Sequence, residues 1–349
     1  MELHTKIFKI YPGNFSDVIG ECAEIIRRGG TVAIPTETVY GLGANALDPI
    51  AVKRIFYAKG RPADNPLIVH VASVEQLGHL VSEIPAQALS LMEVFWPGPL
   101  TLILKRTDVV PDITTGGLDT VAVRMPDNVI ARELIRVSAK PLAAPSANIS
   151  GRPSPTSAAH VLHDLEGRID AVIDAGNTCI GVESTVIDMS GKKPAVLRPG
   201  YISAARIEDI IGEVEIGYND HVTEDESVPR SPGMKYTHYS PSATVLLLEG
   251  SHDLVQDKIR EMYNDFTYRG ARVGLLVTST GLLSLTNDMF YLGSKDEPEE
   301  VARNLFLGLR ELDERGVNII LADGSFNHEG VGAAVMNRLR KASEMIIRL

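Results

Sequence analysis

Apolar runs of strand length alternate along most of the chain with stretches whose apolar residues recur every three to four positions. KIFKI (6–10) alternates like a short strand, and SDVIGECAEIIRRGG places Val18, Ile19, Cys22, Ile25 and Ile26 on one helical face. Ser16 is the expected N-cap of that helix and Gly29 its stop. Further strands are predicted at TVAIP (31–35), LIVHVA (67–72), TLILK (101–105), TVAVRMP (120–126), AVIDAG (171–176), STVIDMS (184–190) and AVLRPG (195–200). PLAAPSAN (141–148) reads as a short strand ending at Ser146 and Asn148. Helical spacing covers DPIAVKRIFYAK (48–59), VEQLGHLV (74–81), PAQALSLMEVF (85–95), NVIARELIRVSA (128–139), PTSAAHVLHDLEG (155–167) and ISAARIEDIIGEV (202–214). Periodicity then stops at the acidic, polar YNDHVTEDESVPRS (218–231), the composition of a linker. Beyond it strand and helix alternate again to the final AAVMNRLRKASEM, the pattern of a smaller doubly wound parallel sheet. The expected organisation is α/β throughout: a domain over 1–215, a linker over 216–240 and a second α/β domain over 241–349.

Composition narrows what such a chain does. Its 349 residues exceed one ordinary core. A net charge of −11 argues against a surface built to grip a nucleic-acid backbone, so any polyanion must be held locally. Two cysteines, Cys22 and Cys179, make neither a disulfide framework nor a zinc site and fit a reducing compartment. No apolar run approaches the ~20 residues that span a bilayer, and MELHTKIFKIYPG lacks the apolar centre of a secretion signal. The expectation is a soluble cytoplasmic protein without a membrane partner.

Candidate chemistry gathers at element ends. PTETVYGLG (35–43) leaves a strand, offers hydroxyls and backbone N–H groups, and is expected to turn through Gly41 and Gly43. Lys59, Arg61, Arg124, Arg152 and Arg198 lie at strand ends or turns, where sequence-distant cations converge on one rim of a sheet. Ser146, Asn148, Ser184 and Thr185 add short polar groups that either cap turns or donate to anion oxygens. GLGANA matches the dinucleotide fingerprint but reads better as a turn or another ligand loop. A Walker phosphate loop and a G-x-S-x-G elbow are absent from the sequence. His160, His163 and Asp164 sit on an amphipathic helix without a third ligand of comparable spacing, so no metal site is expected.

In order, PTETVYGLG, AKGRPADNPLIVH, WPGPLTLIL, TVAVRMP, APSANISGRPSPT, GVESTVID and LRPG resemble the YrdC-like threonylcarbamoyl-adenylate synthases over residues 7–212. SPGMKYTHYSP and the C-terminal unit resemble the two-domain form of that family. The resemblance implies a twisted mixed sheet in the first domain and a smaller Rossmann-like second domain. It also implies a reaction in which L-threonine, bicarbonate or CO2, and ATP give threonylcarbamoyl-AMP and pyrophosphate, with Mg²⁺ accompanying ATP. A separate transfer complex would carry the group to tRNA, so direct tRNA binding is not required. Catalytic roles are implied for Lys59 and Arg61. With Asn65, Thr120, Ser146, Asn148, Ser154, Arg198 and Tyr236 they would hold ATP, while Lys235 to His238 would close over it. Thr38, His70, Arg124, the backbone at Ala144, and Ser184 would hold threonine. The rival readings are a regulatory RNA- or nucleotide-binding module, one domain of a larger carbamoyl-transfer protein, and a dehydrogenase using GLGANA.

Overall fold

The computed structural model describes residues 3–218, 239–282 and 285–349. The strands of the first domain are β1 (Lys6–Lys9), β2 (Val32–Ile34), β3 (Gly41–Asn45), β4 (Ile68–His70), β5 (Leu100–Lys105) and β6 (Thr120–Arg124). They continue as β7 (Leu142–Ala143), β8 (Ala171–Asp174), β9 (Thr185–Asp188), β10 (Ala195–Arg198) and β11 (Glu215–Ile216). Its helices are α1 (Phe15–Arg27), α2 (Pro49–Lys59), α3 (Ala86–Phe95), α4 (Asp112–Thr115), α5 (Val129–Ser138), α6 (Ala158–Leu165) and α7 (Ala204–Ile211). The strands form one mixed sheet in the order β1-β8-β2-β3-β7-β4-β6-β5-β9-β10-β11. Helix α1 buries Ile19, Cys22 and Ile26 with Leu134 and Ile135 of α5 in one apolar layer. A larger layer joins Ile55 and Phe56 of α2 to Leu91 and Phe95 of α3.

Local chemistry sets the helix carrying the first candidate cation. Asp48 caps α2 through its side chain, Pro49 opens the helix, and Gly60 closes it in the left-handed conformation (φ 61°). Lys59 is thereby held in the last turn and Arg61 just beyond it.

The second domain contains β12 (Thr244–Glu249), α8 (His252–Tyr268), β13 (Val273–Val277), β14 (Met289–Tyr291), α9 (Pro298–Glu314), β15 (Ile319–Asp323), α10 (Val331–Ala342) and β16 (Met345–Arg348). All pairings in its sheet are parallel, in the order β14-β13-β15-β12-β16, as the alternating pattern implies. The two domains share a core: Val39 and Val182 of the first pack with Tyr239, Leu305 and Phe306. Arg310 of α9 pairs with Asp164 of α6 at 2.9 Å, both buried. None of the described helices is long and apolar enough to cross a membrane.

Several local expectations need correcting. Gly41–Asn45 is not a turn but a strand, antiparallel to β2, because tertiary pairing on both edges overrides the low strand propensity of glycine. Helix α1 begins at Phe15, with Asn14 rather than Ser16 at the N-cap position. VEQLGHLV forms a short 3₁₀ segment (Val74–His79), and β7 stops at Ala143, before Ser146. The sequence pattern does not predict the edge strands β11, only two residues long, and β16. Met345 had been absorbed into the preceding helical pattern.

Candidate active site

Parallel strands β4 and β6 end side by side, with His70 and Arg124 in register. An open α/β sheet binds ligands outside such strand ends. PTET, leaving β2, crosses in front of them. Arg124 donates from Nη1 to Thr38 Oγ1 (3.0 Å) and from Nε to the Gly98 carbonyl (3.2 Å). Its Nη2 lies 2.6 Å from Glu37 Oε1, close enough for an ion pair but not aligned as a hydrogen bond. Guanidinium and carboxylate are both buried, so this end of the site keeps hydrogen-bonding capacity to spare. Thr36 and Thr38 join through their hydroxyls at 2.8 Å.

His70 is buried, and its Nδ1 has no hydrogen-bond partner among the described residues. Burial, reinforced by the Arg124 charge, lowers its pKa to about 3, so the imidazole is neutral at physiological pH. An unfolded histidine takes up a proton near pH 6.5, whereas this one resists until about pH 3. Stability is therefore expected to fall as pH drops through that window. His70→Gln should flatten the loss by several kcal/mol at its acid end. Thermal melts from pH 7 to 3 test this, and an unchanged acid slope would refute it.

The same cleft continues to a cationic end. Arg61 and Arg198 line it with Ser146, Ser184, Glu183 and Tyr239, and together with the His70–Arg124 end it holds about 620 Å³ including its open mouth. Arg198 donates to the Ser184 carbonyl from Nε (3.1 Å) and Nη2 (2.9 Å), and Ser184 Oγ meets Thr101 Oγ1 at 2.8 Å. Burial presses the Arg198 pKa down to about 10, leaving it cationic. At the turn that follows, a Cβ on Gly200 would meet the Thr185 nitrogen at 2.2 Å, so glycine alone permits the approach.

Of the residues singled out from sequence, Thr38, Arg61, His70, Arg124, Ala144, Ser146, Ser184 and Arg198 line this cleft. Lys59 sits behind it, where its buried Nζ donates to the carbonyls of Ser146 (2.5 Å) and Asn148 (2.7 Å). Asn148 is tied to its own loop, donating to Ile149 O and Arg152 O. Ser154 reaches the cleft wall indirectly, through Glu183 Oε1 at 2.5 Å. Asn65 is buried in the loop after α2. Thr120 opens β6, about 13 Å along the strand from Arg124 at ~3.3 Å per residue. Arg152 pairs with Asp164 at 3.2 Å and Thr185 bonds to Ile202 O, so neither joins the cluster. Tyr236, Lys235 and His238 lie outside the described residues. The sequence reading passed over Glu37 and Glu183, although both lie within motifs it quoted. Neither Cys22 nor Cys179 lines the cleft.

A mixed-sheet α/β domain carrying an arginine- and hydroxyl-lined cleft, with a second α/β domain packed against it, defines a two-domain α/β protein with a polar, cation-lined cleft. Residues 24–200 match the Sua5/YciO/YrdC family model, described as telomere recombination, and residues 202–344 match the model of the threonylcarbamoyl-AMP synthase C-terminal domain. The chain is 56% identical to a threonylcarbamoyl-AMP synthase of Pyrococcus abyssi, over 92% of each chain. It is 48% identical to that of Bacillus subtilis, over 93% of this chain and 92% of the relative. The crystal structure of P. abyssi Sua5 complexed with L-threonine superposes with a TM-score of 0.91 at 52% identity, over 99% of both chains. The chain belongs to the Sua5/YciO/YrdC family, in its two-domain form.

Proposed function

We propose that this protein is a threonylcarbamoyl-AMP synthase, joining L-threonine, bicarbonate or CO2, and ATP into L-threonylcarbamoyl-AMP with release of pyrophosphate. The observation that carries the reading is the single cleft in which a buried Arg124–Thr38–His70 end meets a cationic end containing Arg61 and Arg198. The P. abyssi relative bound to L-threonine and the high identity to named synthases support it.

In this reading Arg124 takes the threonine carboxylate, which a planar guanidinium pairs in bidentate fashion. Neutral His70 accepts a hydrogen bond from the amine or hydroxyl. The unprotonated amine adds to CO2, forming an N–C bond and losing a proton. A carbamate oxygen then attacks the α-phosphorus of ATP, and the bond to pyrophosphate breaks. Such a transfer needs alignment and charge neutralisation rather than a protein nucleophile. Arg61, Arg198 and Ser146 face the phosphates, while Lys59 and Asn148 shape the loop that presents Ser146. This makes the reaction a nucleotidyl transfer whose product an acyl-transfer system acting on tRNA adenosine would consume.

The described residues include no carboxylate cage for Mg²⁺. The two cleft-side carboxylates, Glu37 and Glu183, are each paired with an arginine, at 2.6 and 3.0 Å, and no metal-ligand cluster occurs among the described residues. The ion belongs with the ATP phosphates in this reading.

Pyrophosphate release that requires both threonine and bicarbonate tests the proposal, and release independent of either would overturn it. Arg61→Ala is expected to lower that rate by about 10²–10³-fold with an unchanged melting temperature. A wild-type rate in this variant would remove Arg61 from the phosphate site.

A further inference from the structure

We infer that Arg338, a residue of the C-terminal domain, is a positioning residue for the nucleotide end of the cleft. The side chain projects from α10 into the first domain and is fully buried. Its Nε lies 3.0 Å from Glu183 Oε2, and its Nη1 donates to the carbonyl of Pro199, in the turn that follows Arg198. Its guanidinium carbon sits 6.0 Å from the Tyr239 ring centre. Glu183, Arg198 and Tyr239 all line the cleft, and the other oxygen of Glu183 accepts from Ser154. One side chain thus braces three separate pieces of the cleft wall, none of which contacts it through sequence proximity.

A dry ion pair is a poor source of stability, because desolvating both charges offsets most of their attraction. Its directional bonds do fix geometry. The Arg338 and Arg198 charges outweigh burial and hold Glu183 below the usual carboxylate range, so it stays an anion able to accept from Ser154. Tyr239 also packs against Phe306, with ring centres 5.2 Å apart. Among the described residues the Arg124 end makes no hydrogen bond to Arg338 and relies on Thr38, Gly98 and Glu37. Ser184, beside Glu183, is also held by Thr101 Oγ1 at 2.8 Å, so loss of Arg338 is expected to disturb the nucleotide end of the cleft more than the threonine end.

The assignment of that end to ATP rests on the proposed function, so the test measures binding as well as turnover. ATP and L-threonine are titrated separately by calorimetry into the full-length wild type, Arg338→Met and Arg338→Lys. Arg338→Met should weaken ATP about tenfold or more while leaving threonine within about twofold, since losing one well-aligned hydrogen bond to a charged group costs about this much. Arg338→Lys, which keeps the charge, should recover part of the loss. Should Arg338→Met fail to fold, Glu183→Gln with Arg338→Met removes the stranded carboxylate and should show the same ATP defect. A folded variant with wild-type ATP affinity overturns the inference, as does an equal weakening of both ligands. If the wild type binds both ligands but releases no pyrophosphate, the catalytic reading fails while the affinity ratios still decide the role of Arg338.

Discussion

Arg124→Ala is expected to lower kcat/KM for threonine by at least about a hundredfold, a loss of some 3 kcal/mol of transition-state stabilisation. The buried guanidinium orders Thr38, engages the Gly98 carbonyl and neutralises Glu37. Its removal takes away the carboxylate partner and strands the buried Glu37 carboxylate. Stranding one member of a buried pair costs about 3–5 kcal/mol, so the melting temperature should fall as well. Arg124→Lys separates the two consequences: it retains a positive charge near Glu37 but not the planar fork, so stability should recover more than activity. Threonine-dependent pyrophosphate release and thermal melts of both variants provide the check. An Arg124→Ala protein with the wild-type threonine requirement would exclude this residue from amino-acid binding.

Lys59→Met should be nearly as damaging, for a different reason. Resemblance to the family suggests a contact between Lys59 and the triphosphate, whereas the structure commits its ammonium to Ser146 O and Asn148 O. Burial, with the nearby Arg61 charge, pushes its pKa well below the usual lysine range, and the two carbonyls supply its hydrogen bonds. Methionine keeps most of the stem but leaves the Asn148 carbonyl without its donor, at a cost of about 1–3 kcal/mol, and the Ser146 carbonyl with the Asn148 N–H at 3.1 Å. The loop presenting Ser146 to the cleft should then loosen, lowering both the melting temperature and product formation. Wild-type stability with lost activity would instead return Lys59 to the phosphates, and wild-type values of both would refute either role.

Much of the cleft was legible beforehand because strand ends declare themselves locally. Arg124 stands just before the proline that ends TVAVRMP, and Ser184 opens STVIDMS. Arg124 is the last residue of β6, where a sheet meets its ligand, whereas Ser184 precedes the first residue of β9; both line the cleft. Glu37 and Glu183 were less legible because a carboxylate beside hydroxyls reads as a turn until its cation is known. Those cations, Arg124 and Arg338, lie 87 and 155 residues away in the chain. GLGANA misled for a related reason: its glycines suggest a turn, but its backbone pairs with β2 and β7 on either side.

Short-range order in this protein, meaning the helices, most strands and the chemical types at strand ends, follows from periodicity and capping residues that neighbours in sequence can enforce. Which charges meet was decided only when the sheet order and the docking of the second domain brought distant segments together. An ion pair has no sequence period, and its energy depends on a separation and a degree of burial that exist only in the folded chain.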